Sequence, residues 1–259
     1  MNTDDGKGLT LAIVNQKGGV GKSTTAVNLS ACLAGHGKKV LLVDLDPQAN
    51  ATSGLGKRRE DRQKCVYNVL IDDEPLASVI EDTDVEALRL VPSTIQLAGA
   101  EIEMVSRFSR ETRLQAALGP VAGAYDYVLI DCPPSLGLLT VNALTAADKV
   151  IIPIQCEYYA LEGLSQLIES VRLIKKHLNT KLEIAGVVMT MYDVRTKLSA
   201  QVTAEVVKHF SQKVYKTVIP RSVRLSEAPS YGLPIIEYDG KSKGALAYRE
   251  FAKEVIARG

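Results

Sequence analysis

No excess charge of either sign marks this chain, since 31 lysines and arginines stand against 30 aspartates and glutamates, a formal net charge of +1. Bulk charge therefore names no partner, and the composition is that of an ordinary globular protein. Cysteine is scarce and scattered. Cys32, Cys65, Cys132 and Cys156 lie too far apart for a CxxC metal or redox pair, so reduced, buried thiols of a cytosolic protein are the simpler reading. The opening MNTDDGKG has neither the positive start nor the apolar stretch of a secretory signal. No apolar run approaches the ~18 residues of a membrane span, and the chain holds no internal repeat or low-complexity tract. These absences set aside the secreted and membrane-spanning classes and lead to a cytoplasmic protein as the expectation.

What is present is an alternation. At 259 residues, 46% of them apolar, the chain can bury a core without staples. Short apolar runs at Leu9–Asn15, Lys39–Asp44, Tyr127–Asp131, Lys149–Ile154, Ile184–Met189 and Val214–Ile219 read as strands. Between them, apolar residues recur at three- and four-residue steps, which predicts helices over Lys22–Gly35, Thr94–Ala117, Leu136–Ala146, Glu157–His177, Ser199–His209 and Ser242–Ala257. Alternation of this kind builds βαβ units, and near-continuous Val, Ile and Leu in the strands calls for helices on both faces of a mostly parallel central sheet. The stretch Gly54–Asp84 mixes charge, Pro75 and weak periodicity and reads as a surface excursion inside the domain. The expectation is an α/β single-domain protein over residues 9–259 with a flexible tail at 1–8.

Between the first strand and its helix lies Gln16-Lys17-Gly18-Gly19-Val20-Gly21-Lys22-Ser23-Thr24, a glycine-rich loop of the P-loop kind. Such a loop wraps successive backbone N–H groups around an anion at a helix N-terminus. Glycine is needed because the backbone must come close to phosphate oxygens in conformations that a Cβ disfavours. In this place Lys22 would neutralise the β- and γ-phosphates, the Ser23 hydroxyl would coordinate Mg²⁺, and Thr24 would reach the α-phosphate. Asp131 ends a predicted strand as a Walker B acid does and would hold Mg²⁺ through water. Asp44 and Asp46 follow the second strand, at the sheet edge where open α/β folds bind ligands. Each aspartate alone also fits a strand-ending cap or turn.

The loop lacks the first glycine of the general G-x-x-x-x-G-K-[ST] form, which is Gln16 here, and carries an extra lysine, Lys17. It resembles the deviant Walker A motif, KGGxGK[ST], of the ParA/MinD/nitrogenase iron protein group. That resemblance implies an ATP-sandwich dimer in which Lys17 acts on the phosphates of the opposite subunit, with Lys22 and Asp46 as the other catalytic residues. By the same pattern Asp46 orients the attacking water and Asp44 supports it. Longer segments, Val40–Gly56, Thr94–Glu103, Asp126–Asp148, Pro153–Leu167 and Val218–Gly232, resemble chromosomal partition proteins of the ParA/Soj type. The family implies ATP and Mg²⁺ as cofactors, non-specific DNA and a ParB-type protein as partners, a dimer that depends on ATP, and location on the nucleoid.

Basic residues gather in Asp193–Lys197 and Pro220–Arg224. A local patch suffices for phosphate contacts, although a solvated face or salt-bridge partners would look the same in sequence. The resemblance points to Arg195 and Arg224 as DNA contacts, with Arg221 and Lys197 as additions, and to Pro220 and Ser222 against adenine. Two other readings share the loop. A MinD-like membrane-recruited ATPase would need a C-terminal amphipathic anchor, which Ala245–Gly259 with its two glutamates does not resemble. An iron–sulfur reductase would need Cys132 and Cys156 to hold a cluster across a dimer axis. A non-catalytic binding module is disfavoured by the joint presence of Lys22, Asp46 and Asp131.

Overall fold

The computed structural model describes residues 8–57, 64–157 and 162–259. Its strands are β1 (Leu9–Ile13), β2 (Val40–Asp44), β3 (Glu81–Asp82), β4 (Leu88–Val91), β5 (Tyr127–Asp131), β6 (Lys149–Gln155), β7 (Glu183–Tyr192) and β8 (Val214–Pro220). They form one sheet in the order β3-β4-β2-β5-β1-β6-β7-β8. Every neighbouring pair is parallel except β3 with β4. All residues of β2 and β5 are buried, as strands covered on both faces must be.

The helices that cover the sheet are α1 (Lys22–Gly35), α2 (Asn50–Gly54), α3 (Val66–Ile71), α4 (Leu97–Glu103), α5 (Arg113–Leu118), α6 (Leu138–Ala146), α7 (Glu162–His177), α8 (Lys197–Phe210), α9 (Val223–Glu227), α10 (Ile235–Tyr238) and α11 (Lys243–Arg258). Alternate residues of a strand face opposite ways, and two cores result. Leu11, Ile13, Leu42 and Leu129 pack with α1 and α11 on one face, through Leu29, Leu33, Tyr248 and Phe251. Ala12, Leu41, Val43, Val128 and Ile130 pack on the other with α3, α6 and α7, through Leu70, Leu139, Ala143 and Leu167.

The expected strands are all present, with ends that differ by up to three residues, the most at β7, which runs on to Tyr192. Two more, β3 and β4, go beyond the expectation, because Leu-Arg-Leu-Val is short and Arg89 breaks its apolar run. Pairing with β2, Val40 opposite Leu88 and Val43 opposite Val91, is what makes it a strand. The helix expected over Thr94–Ala117 is corrected to α4, a tight 3₁₀ turn at Met104–Ser106 and α5. Ser109 takes a left-handed conformation, φ 51°. The Asn142 side chain then binds both broken ends, donating to the Arg110 carbonyl (2.7 Å) and accepting from the Leu114 N–H (3.1 Å). Residues 58–63 of the expected Gly54–Asp84 surface excursion lie outside the described residues, and the rest is on the surface only in part, since α3 buries Val66, Val69, Leu70 and Ile71. Residues 158–161 of the expected Glu157–His177 helix lie outside the described residues, as do 1–7 of the expected tail. Gly8 is buried, and a Cβ there would strike the Tyr125 carbonyl.

Candidate phosphate and cation site

The loop joining β1 to α1 begins on Asn15, whose side chain donates to the Pro153 carbonyl (2.7 Å) and accepts from the Lys17 N–H (2.9 Å). It is also tied at its far side, where the Thr190 hydroxyl of β7 donates to the Val20 carbonyl at 2.8 Å. Between these anchors Gly19 and Gly21 take left-handed backbone conformations, φ 75° and 87°, which a side chain would strain. Nothing lies within 4 Å of where a Cβ would stand on Gly18 or Gly19. The loop therefore opens a cradle at the N-terminus of α1, where N–H groups and the helix dipole favour an anion.

The two lysines of the loop part ways. Lys22 is buried, and its ammonium donates to the Lys17 carbonyl at 3.0 Å. Burial lowers its pKa, opposed by the negative charges of Asp131 and Asp46. Lys17 instead points out of the loop, with 43% of its side chain exposed and its Nζ 2.9 Å from Glu157 Oε2.

The three aspartates meet at one sheet edge. Asp44 and Asp131 sit opposite each other in the β2–β5 register, and both are fully buried. Asp44 is well supplied with donors, from the Thr52 N–H (2.8 Å), the Thr52 hydroxyl (2.7 Å) and the Asp46 N–H (3.1 Å). Burial still pushes its pKa up to about 6. Both oxygens of Asp131 are buried without a hydrogen-bond partner. Burial, then the Asp44 charge, raises its pKa well above the carboxylate range, while the nearby Ser23 hydroxyl and Lys22 pull the other way. Asp46 accepts from the Gln48 N–H at 2.9 Å. An orphaned buried carboxylate beside the half-buried Ser23 is a site that a hard cation relieves, and oxygen donors suit Mg²⁺.

The two basic segments emerge from adjacent strands, since Tyr192 of β7 pairs with Pro220 of β8. The Arg221 N–H donates to the Tyr192 carbonyl at 3.0 Å. Arg195 makes a two-point ion pair with Asp193 (2.9 and 2.7 Å), and Arg224 binds Glu227 (3.0 Å) and Asp239 (3.5 Å). The salt-bridge alternative is thus realised for both arginines, while Arg221, Arg224, Arg195 and Lys197 all remain exposed. Pro220 and Ser222 stand at the same edge of the sheet as the loop, beyond β6 and β7. Cys132 and Cys156 are both buried within the core.

Sequence reasoning missed Asn15, Thr190, Thr52 and Glu157. Asn15 carried a weak signal, as an Asn ready to bind the backbone two residues on. The others act through partners remote in sequence and left no local trace.

A site positive in its loop and negative at its strand ends fits a polyanion that brings its own cation, and the class this fold and site define is that of the P-loop nucleoside triphosphatases. A family model described as an AAA domain matches residues 8–184. The sporulation initiation inhibitor protein Soj of Bacillus subtilis is 64% identical over 97% of this chain and 100% of its own length. The chromosome partitioning protein ParA of Myxococcus xanthus is 51% identical, over 97% of this chain and 89% of its own. Among solved structures, cobyrinic acid a,c-diamide synthase of Mycobacterium smegmatis with bound ADP and magnesium is 40% identical with a TM-score of 0.84, covering 95% of this chain and 93% of that one. The chain belongs to the ParA/Soj-type partitioning ATPases. It is an ATPase of chromosome partitioning.

Proposed function

We propose that the chain is an ATP-dependent switch for moving DNA, in which an ATP-bound dimer holds DNA without sequence preference and hydrolysis, stimulated by a ParB-type partner, releases it. ATP and Mg²⁺ are its cofactors, and the metal, when bound, would supply neutralisation of phosphate charge. The Gly18–Gly21 backbone and Lys22 hold the phosphates, Thr24 reaches the α-phosphate, and Ser23 with Asp131, acting through water, holds the cation. Asp46 orients the attacking water. Pro220 and Ser222 border the adenine, and Arg195, Arg221 and Arg224 contact DNA phosphates.

The observation that carries this reading is the outward course of Lys17. A lysine meant for its own subunit's phosphates would turn into the loop, as Lys22 does. Lys17 leaves the loop and is held by Glu157, an exposed partner that it can exchange for the phosphates of a second subunit. Lys17→Ala is expected to bind ATP as a monomer and to hydrolyse it poorly, as followed by light scattering after gel filtration. An ATP-dependent dimer with normal hydrolysis in that variant would overturn the trans role.

The MinD-like alternative finds no support in α11. That helix buries Tyr248, Phe251 and Val255 against β8 and α1, with Tyr215 and Phe251 edge-on at 4.8 Å. Among the described residues no helix is long and apolar enough to cross a membrane.

A further inference from the structure

Thr52 lies on α2, fully buried and far in sequence from the glycine cradle, yet its N–H and its hydroxyl are engaged at one junction. Both donate to Asp44 Oδ2, at 2.8 and 2.7 Å. The hydroxyl oxygen in turn accepts from the Ser93 N–H at 3.0 Å, just beyond the end of β4. A hydroxyl has one proton to give, and with Ser93 donating to it that proton is committed to Asp44. The other Asp44 oxygen accepts the N–H of Asp46 at 3.1 Å. One carboxylate thus holds both ends of the turn 46–52, Asp46 at one end and Thr52 at the other. The turn is tight, with Ala49 in a left-handed conformation, φ 52°, and its N–H bound to the Asp46 carbonyl at 2.8 Å.

Asp44 needs such support because it is fully buried beside Asp131 in the β2–β5 register, and a buried carboxylate that loses its donors is costly. With fewer donors its carboxylate would turn, and the Asp46 N–H would lose its acceptor. We propose that Thr52 is a positioning residue for hydrolysis, which through Asp44 and with Ser93 as anchor sets where Asp46 stands over the phosphate site. The inference rests on the assignment of Asp46 to the attacking water. Packing alone does not account for Thr52, because valine has the same shape and would fill the same space.

The test compares Thr52→Val, Thr52→Ser and Asp46→Ala in the full chain, measuring Mg²⁺-dependent ATP hydrolysis and equilibrium binding of a non-hydrolysable ATP analogue. Thr52→Val is expected to lower kcat by about tenfold, the effect of losing a charge-assisted hydrogen bond, with KM and analogue affinity changed less than about threefold. Thr52→Ser keeps the hydroxyl and is expected to restore kcat. A Thr52→Val enzyme at the parental rate beside a slow Asp46→Ala enzyme would overturn this inference alone. Parental hydrolysis by Asp46→Ala would instead overturn the assignment on which it rests. Equal impairment of Thr52→Ser and Thr52→Val, or analogue binding lost together with kcat, would show a merely structural role and also overturn it.

Discussion

Asp44 and Asp131 end neighbouring strands in register and are equally buried, but their surroundings differ. Asp44 has three donors, whereas neither oxygen of Asp131 has a partner in good hydrogen-bond geometry and only the nearby Ser23 hydroxyl and Lys22 favour its charged form, so burial leaves Asp131 the costlier of the two. The sign of its effect on stability follows from its raised pKa. The folded protein holds the Asp131 proton at a pH where the unfolded chain has lost it. The residue therefore lowers stability progressively as pH rises above the ordinary carboxylate value, by at most about 1.4 kcal/mol per pH unit. Asp131→Asn, which cannot titrate, is expected to match or exceed the parent in urea melts without nucleotide. Its advantage should grow from pH 5 to pH 8, while Mg²⁺-dependent hydrolysis is lost. An advantage that shrinks with rising pH would contradict the account of Asp131. Lys22→Ala is expected to abolish ATP binding, measured by equilibrium titration, since no other buried cation among the described residues faces the cradle.

Among the elements, β7 reaches the loop through the hydrogen bond that Thr190 donates to the Val20 carbonyl. Thr190→Val keeps the shape of the side chain and removes that tie, which is worth about 0.5–1.5 kcal/mol. ATP affinity should fall by about 2- to 10-fold, read by titration, with α1 and the sheet intact. On the same face α11 holds the core through Phe251, and Phe251→Ala is expected to lower stability by about 3–5 kcal/mol in a denaturant melt. The elements also show what the sequence can reveal. The loop and the buried strands were legible because glycine, lysine and aspartate declare their chemistry locally and a parallel strand is apolar throughout. β4 was not, because four residues with Arg89 in their midst become a strand only beside β2. The break between α4 and α5 was hidden for the same kind of reason, since Asn142, far along the chain, stabilises its open ends. Thr52 and Thr190 look like any threonine until the residues they bind are brought to them by the fold.

At the scale of the whole molecule, the nucleotide edge and the basic corner belong to one rim of the sheet. Arg195 and Arg224 are engaged with carboxylates of their own chain, and such exposed pairs are weak enough to exchange for DNA phosphates. The double variant Arg195→Ala with Arg224→Ala is expected to weaken DNA binding at all sequences. It should also reduce the slope of log K against log salt by about 0.9 for each DNA phosphate that the variant leaves without its arginine. Unchanged affinity and slope would move the DNA surface elsewhere. The central claim is that nucleotide state governs DNA binding, and retention of the full chain on non-specific DNA with ATP, with ADP and without nucleotide tests it most directly. Retention confined to ATP, and prolonged by Asp46→Ala, is the predicted result. Equal retention in all three conditions would contradict it.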